Sequence, residues 1–369
     1  MKKILFLIHD LGQGGAEKVL VNLVNNMDRT KFDISVTVLF GGGVNEQFLK
    51  PDIHFRAVFQ KEIPGNSKLM KLLTPKQLHK LCVREHYDIE VSYLEGPSAR
   101  VISGCQDQDT KLVSWIHCTM HSKKDIARSF RSYKEAAACY SCFDRNVFVS
   151  GEVMNAFQEY CLVSGTEVLY NTNDSDKIIQ MADESMESGV CRDDEIKIIG
   201  IGKIVEVKGF DRLARVHKRL RDDGYPLHTY ILGEGSQKEE IVAYLEQNHL
   251  TESFTFLGYQ TNPYKYVKNC DIFVCSSHSE GFSTAATEAL IVGTPVCTVE
   301  VSGMKEMLGE NNEYGVITEN NEDALYEGIK CLLDDPAMLT HLKEQTAQRG
   351  KTFHIENTVN AVETMLLDL

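Results

Sequence analysis

Two carboxylates, Glu280 and Glu288, enclose the seven residues Gly281-Phe282-Ser283-Thr284-Ala285-Ala286-Thr287. Carboxylates accept hydrogen bonds from sugar and ribose hydroxyls. Between them lies a helix start: Ser283 suits an N-cap, Thr284–Val292 has helical character, and Gly293 with Pro295 supplies a stop. The N–H groups of Thr284, Ala285 and Ala286 then lack intrahelical partners. With the helix dipole they suit a phosphate. A phosphate site with an acid on each side fits a sugar nucleotide. The same pattern also describes a buried helix start with two solvated acids.

Three further groups have chemistry in reach. Lys203 and Lys208 follow an apolar run, Ile196–Ile201, with Gly202 and Gly209 beside them. Two such cations suit a diphosphate whose departing charge must be stabilised, though spacing alone also fits two surface lysines. His117 comes just after the strand-like run Lys111–Ile116, where an open α/β sheet presents ligand contacts; an ordinary loop or core histidine is the plainer reading. Gly14 and Gly15 form a turn after the apolar run Lys2–Ile8, at a strand-to-helix junction. Glu17 occupies the third glycine position of a dinucleotide fingerprint, which disfavours a hydride-transfer cofactor.

The elements that must position these residues alternate as β and α. Lys2–Ile8, Ala16–Asn26 and Ile34–Phe40 read as strand, helix and strand. Tyr87–Tyr93, Lys111–Ile116 and Asn146–Ser150 continue the strand pattern. Residues 173–195 are polar and read as a connection with a short helix. A second β/α series follows: Ile196–Ile201, Phe254–Gly258, Ile272–Cys275 and Val296–Val299 as strands and His228–Gly235 as a strand and turn, with helices at Tyr264–Lys268, Asp323–Leu333 and Glu356–Leu369. Such alternation predicts two doubly wound parallel sheets.

A chain of 369 residues with 43% hydrophobic and 25% charged content is an ordinary two-domain globular protein. The apolar start Ile4–Ile8 stops at His9-Asp10, too short for a signal peptide or a membrane span. Eleven cysteines, several within apolar runs (Cys275, Cys297, Cys331), suggest reduced buried thiols and a cytoplasmic setting. Cys139 and Cys142 have no second pair to complete a zinc site and read as inert. Net charge is −14, divided as +2 over residues 1–172 and −16 over the remainder, which argues against nucleic acid as a partner. Basic residues interleave with leucines over Lys61–Arg84, and Lys123, Lys124, Arg128, Arg131 and Lys134 cluster nearby in sequence. These read either as a surface for anionic lipid or as solvated helix faces. Asp107-Gln108-Asp109 and Asp174-Ser175-Asp176 are expected to be solvated loop acids rather than cation ligands.

Glu280 and Glu288, within Glu-Gly-Phe-Ser…Glu-Ala…Gly-Thr-Pro-Val, resemble the E-x7-E signature of the retaining glycosyltransferases of family 4. Lys203 with Lys208-Gly209-Phe210 is similar to that family's basic motif, with Lys203 where Arg is usual, so charge is kept and the bidentate fork is lost. Trp115-Ile116-His117, Asn171 with Asp174, and Ser302-Gly303-Met304-Lys305-Glu306 are similar to further family motifs, with Thr172 and Ser302 replacing glycines. The resemblance implies the GT-B fold, two Rossmann-like β/α/β domains with a cleft between them. Residues 1–172 plus a C-terminal helix 352–369 would bind the acceptor, and 173–351 the nucleotide-sugar donor. It implies that Glu288 holds the ribose, that the helix start Ser283-Thr284-Ala285, with Lys203 and Lys208, holds the diphosphate, and that Gly281 and Phe282 belong to the donor-binding turn. Tyr259 lies near the base, Gly14 and Gly15 near the diphosphate, and Glu280 and His117 flank the sugar, with Glu280, His117 and Lys208 as catalytic groups.

The implied activity is retaining transfer, with UDP-sugar the favoured donor and a lipid-linked saccharide of cell-envelope polysaccharide synthesis the acceptor. No cofactor or metal is expected. The implied location is cytoplasmic, with peripheral contact at the inner face of the cell membrane. Two alternatives stay open: a sugar-nucleotide epimerase on the same fold, and a catalytically silent donor-binding partner of another transferase.

Overall fold

The computed structural model describes residues 1–12, 14–61, 70–186 and 195–369. Lys68 and Leu69 of the basic stretch, and residues 187–194 of the polar connection, lie outside the described residues. The chain divides into two compact units, one of Met1–Thr172 with Ile355–Leu369, the other of Asn173–His354.

The first unit is a seven-stranded sheet of β1 (Lys2–Ile8), β2 (Phe32–Phe40), β3 (His54–Phe59), β4 (Ile89–Ser92), β5 (Lys111–Ile116), β6 (Arg145–Phe148) and β7 (Thr166–Val168), in the order β3-β2-β1-β4-β5-β6-β7. Each neighbouring pair is parallel. A parallel sheet has helices on both faces, so its central strands need apolar residues on both sides. β1 satisfies this with Ile4–Ile8 buried throughout. The helix Ile355–Leu367 belongs to this unit. Its end carbonyls, Leu366 and Leu367, accept from Lys2 Nζ at 3.0 Å. Its buried Glu363 takes the N–H of Asp28 at 2.6 Å and Lys31 Nζ at 2.7 Å.

The second unit is a six-stranded parallel sheet of β8 (Ile196–Ile201), β9 (Leu227–Leu232), β10 (Phe254–Gly258), β11 (Ile272–Cys275), β12 (Val296–Val299) and β13 (Val316–Thr318), ordered β10-β9-β8-β11-β12-β13. Both sheets reverse winding direction once: between β1 and β4 in the first, between β8 and β11 in the second. Ligands of open α/β sheets bind beyond the carboxyl ends of strands at this reversal. The loops there carry Gly14 and Gly15 after β1, and Lys203, Lys208 and Glu280 after β8 and β11.

Three local expectations change. Tyr87–Tyr93 narrows to β4. The run Asn146–Ser150 ends as a strand at Phe148, because Ser150 turns its hydroxyl to the N–H of Val153 and caps the helix Gly151–Tyr160. The cysteines are free among the described residues, but Cys331, expected inside, is exposed on the outer face of the helix Glu322–Asp334, and Cys118 and Cys142 are exposed too. Among the described residues no helix is long and apolar enough to cross a membrane.

Candidate functional site

The helix Thr284–Val292 begins and ends as its residue types dictate. Ser283 Oγ accepts from Ala286 N at 3.3 Å, and Gly293, at φ 80°, closes the far end in the left-handed conformation. The Ser283 cap leaves the N–H groups of Thr284 and Ala285 without intrahelical partners. Glu288, one turn inside, is 5% exposed, and Tyr264 donates its hydroxyl to Glu288 Oε1 at 3.2 Å. The solvated-acid reading therefore does not describe Glu288.

Glu280 stands in the turn before this helix. Lys208 Nζ donates to its Oε1 at 2.6 Å, and Ser277 Oγ donates to the same atom at 2.6 Å. The Lys208 side chain is 28% exposed and that of Glu280 12%. The two motifs lie 72 residues apart in sequence and meet because β8 and β11 are neighbours. Gly209 makes the approach possible. Its φ is 62°, and a Cβ there would lie 2.2 Å from the carbonyl oxygen of Ser276. Ser276 Oγ also donates to the Lys208 carbonyl at 3.0 Å.

Arg212 fixes the turn from behind. It is 3% exposed, donates through Nη2 to the carbonyls of Ser276 and Ser277, and through Nη1 to Asn320 Oδ1 at 2.9 Å. Asn320 Nδ2 in turn donates to the carbonyls of His278 and Glu300 at 3.2 Å. Burial pushes the guanidinium pKa of Arg212 down from its ordinary value. Phe282 is buried against Phe353, ring centroids 6.0 Å apart. Lys203 is exposed, with no carboxylate partner among the described residues, and Tyr259 is 67% exposed after β10.

The remaining candidates are in the first unit. His117 follows β5 directly, and its N–H donates to Glu95 Oε2 at 2.9 Å. Its ring lies 5.0 Å from that of Tyr93 and 6.3 Å from that of Trp115, centroid to centroid. The residue is 8% exposed, and its Nε2 finds no hydrogen-bond partner among the described residues. Burial lowers its pKa to about 3, so the ring is neutral at ordinary pH. A neutral imidazole with an unused nitrogen can hydrogen-bond a sugar hydroxyl. Gly14 caps the helix Gly15–Asn26, and Gly15 is that helix's first residue.

The two Asp-x-Asp pairs have local partners. Asp107 faces His86 Nδ1 at 2.8 Å and accepts from Asp109 N at 3.0 Å, and Asp174 caps the helix Ser175–Ala182. Arg212, Ser277, Tyr264 and Asn320 escape sequence reasoning as members of this site. Arg212 does follow Lys208-Gly209-Phe210-Asp211 directly, but only its burial distinguishes it from a surface arginine.

Residues 13–177 match the family model described as Glycosyltransferase Family 4, and residues 181–349 the model described as Glycosyl transferases group 1. The chain is 28% identical over 365 residues to the N-acetylgalactosamine-N,N'-diacetylbacillosaminyl-diphospho-undecaprenol 4-alpha-N-acetylgalactosaminyltransferase of Campylobacter jejuni, with 96% of each chain covered. It is 20% identical to the lipopolysaccharide core biosynthesis glycosyltransferase LpsD of Rhizobium meliloti, over 98% of this chain and 96% of that one. Among solved structures it is similar to Anabaena HepE in complex with UDP and glucose, with TM-score 0.77, 17% identity and full coverage of both chains.

Proposed function

The chain belongs to the family 4 glycosyltransferases of GT-B fold, and on that premise we propose that it moves a sugar from a UDP-sugar to a hydroxyl of a lipid-linked saccharide, with retention at the anomeric carbon, in bacterial polysaccharide synthesis. The observation that carries the reading is the Lys208–Glu280 pair at the start of the Ser283-capped helix. A cation, a carboxylate and unpartnered helix N–H groups at one strand end suit a glycosyl diphosphate. Glu288, held by Tyr264, serves the ribose hydroxyls. Thr284 and Ala285 N–H, with Lys208 and the exposed Lys203, hold the diphosphate and stabilise its charge as it leaves. Glu280 and the unused Nε2 of His117 serve the sugar. Gly14 and Gly15 give close backbone approach in the first unit, and Tyr259 lies beside the base. Lysines and the helix dipole supply the countercharge that a metal would otherwise supply, so turnover should survive a chelator.

Transfer proceeds on one face of the sugar. The bond from the anomeric carbon to the phosphate oxygen breaks and the bond to the acceptor oxygen forms. The acceptor proton passes to the departing phosphate. The Campylobacter relative is named for alpha transfer to a diphospho-undecaprenol acceptor. UDP-hexoses in general carry their sugar in alpha linkage, so an alpha product made from one by this chain would be a retained one. A membrane-borne acceptor also gives a use to the segment ahead of the helix Pro75–Cys82. Arg100 and Arg131 hold its carbonyls at Met70, Lys71, Leu72 and Leu73, and leave the Leu72 side chain 75% exposed. We place this edge of the first unit at the inner membrane face.

The test is nucleoside diphosphate release from UDP-, GDP-, dTDP- and ADP-sugars, by the wild type and by Glu288→Ala. Release from a UDP-sugar alone, lost in the variant, supports the assignment. Release of an isomerised sugar without acceptor would instead make the protein an epimerase. Absence of both release and calorimetric binding for every donor would leave it a silent partner.

A further inference from the structure

Glu90, the second residue of β4, is a carboxylate in the interior of the first sheet. It is 2% exposed and lies in register with Leu5 of β1 and Leu112 of β5. Burying a charge among leucines is costly unless something compensates it. Two side chains reach it. His79 Nε2, from the helix Pro75–Cys82, is 2.7 Å from Glu90 Oε2. Cys105 Sγ, from the loop after the helix Pro97–Ile102, is 4.0 Å from Glu90 Oε1. One nitrogen, one oxygen and one sulfur thus lie within 4.8 Å of one another. The cluster is at the amino end of β4, whereas His117 follows the carboxyl end of the adjacent β5. Nothing in the sugar chemistry uses it.

We propose that His79, Glu90 and Cys105 are three ligands of a zinc-class divalent cation, with solvent in the fourth position beside the half-exposed Cys105. Imidazole, carboxylate and thiolate are the three side-chain ligand types zinc prefers. Atoms bound to one zinc at about 2.0–2.3 Å stand roughly 3–4 Å apart, within a small rotation of Glu90 from the observed arrangement. The three donors come from a helix, a strand and a loop that converge on one point. A simple His–Glu ion pair explains two of these residues and gives the thiol no role. The bound ion would tie the helix Pro75–Cys82 and the loop 103–109 to β4, and so stiffen the edge that carries Leu72. The site is independent of the metal-free donor chemistry proposed above.

The experiment titrates the full chain, stripped with chelator, with cobalt(II) and zinc, beside Cys105→Ser and His79→Gln. The wild type should take up one cobalt with a sulfur-to-cobalt charge-transfer band, bleached by zinc. Cys105→Ser should abolish the band. His79→Gln should weaken affinity beyond the roughly 10–100-fold that losing an outer-shell partner costs. Wild type without the band, a band that persists in Cys105→Ser through Cys118, Cys142 or Cys331, or wild-type affinity in His79→Gln would each overturn the proposal. Circular dichroism of the metal-free variants separates lost binding from lost folding.

Discussion

Replacing Lys208 with methionine isolates what the Lys208–Glu280 pair does. Methionine keeps most of the apolar stem and deletes the charge. Glu280 then keeps Ser277 but loses its cation, at 12% exposure. Fully buried pairs cost about 3–5 kcal/mol when one partner is removed, and exposed pairs about 0–1. With one partner 28% and the other 12% exposed, about 2 kcal/mol of stability should go. Glu280→Gln alone should cost less, and the double variant should recover part of the loss, giving a coupling of about 1–2 kcal/mol. Turnover should fall further than stability. Loss of a group that stabilises developing charge lowers kcat about 10²–10³-fold, with KM less affected. The assays are thermal unfolding for the four members of the cycle, and steady-state diphosphate release with the donor the panel identifies. Unchanged kcat in Lys208→Met, or zero coupling in the cycle, would show that the 2.6 Å contact is an incidental surface pair.

Arg212→Met should cost about 3–5 kcal/mol, because it leaves the carbonyls of Ser276 and Ser277 and Asn320 Oδ1 without their charged donor. Activity should fall with the turn that carries Glu280; a stable variant with wild-type activity would refute the clamp. His117→Ala should lower kcat, while the wild-type pH–rate profile should show no limb near pH 6.5, because burial lowers the His117 pKa to about 3; a histidine limb at its ordinary pKa would refute the buried neutral ring. His217 is also buried, between Thr229 and Ser253 hydroxyls, with its pKa lowered to about 3. Each of these histidines stays neutral in the native state and protonates on unfolding once pH falls below about 6.5. Stability should therefore drop by up to roughly 1.4 kcal/mol per pH unit per histidine between about pH 6.5 and 3. Acid denaturation of His217→Gln should show a shallower slope over that window, and an unchanged slope would remove His217 from the account.

The sequence by itself determined the site's local pieces. Ser283, Gly293 and Pro295 set the helix Thr284–Val292 through short-range physics: a hydroxyl cap, a left-handed glycine and a residue that cannot continue a helix. Buried central strands such as β1, β11 and β12 are legible because parallel sheets need apolar runs. The strands that left no clear trace, β3, β7 and β13, are all sheet edges. An edge strand is open along one side and partly solvated, so its residues need not be uniformly apolar; β3 has no buried residue.

Only tertiary structure decided which residues meet. Strand order sets Lys208 beside Glu280 across 72 residues, draws Arg212 onto the carbonyls of the turn, and seats Tyr264 on Glu288. Nothing local in sequence records these contacts, because each depends on which strands become neighbours. Burial is decided the same way. His117 and Glu288 read as ordinary polar residues in sequence and become a neutral ring and an inward-facing acid only once the layers close over them. The cluster of His79, Glu90 and Cys105, spread over separations of 11 and 15 residues, matches no metal-binding spacing and exists only because a helix and a loop converge on one strand.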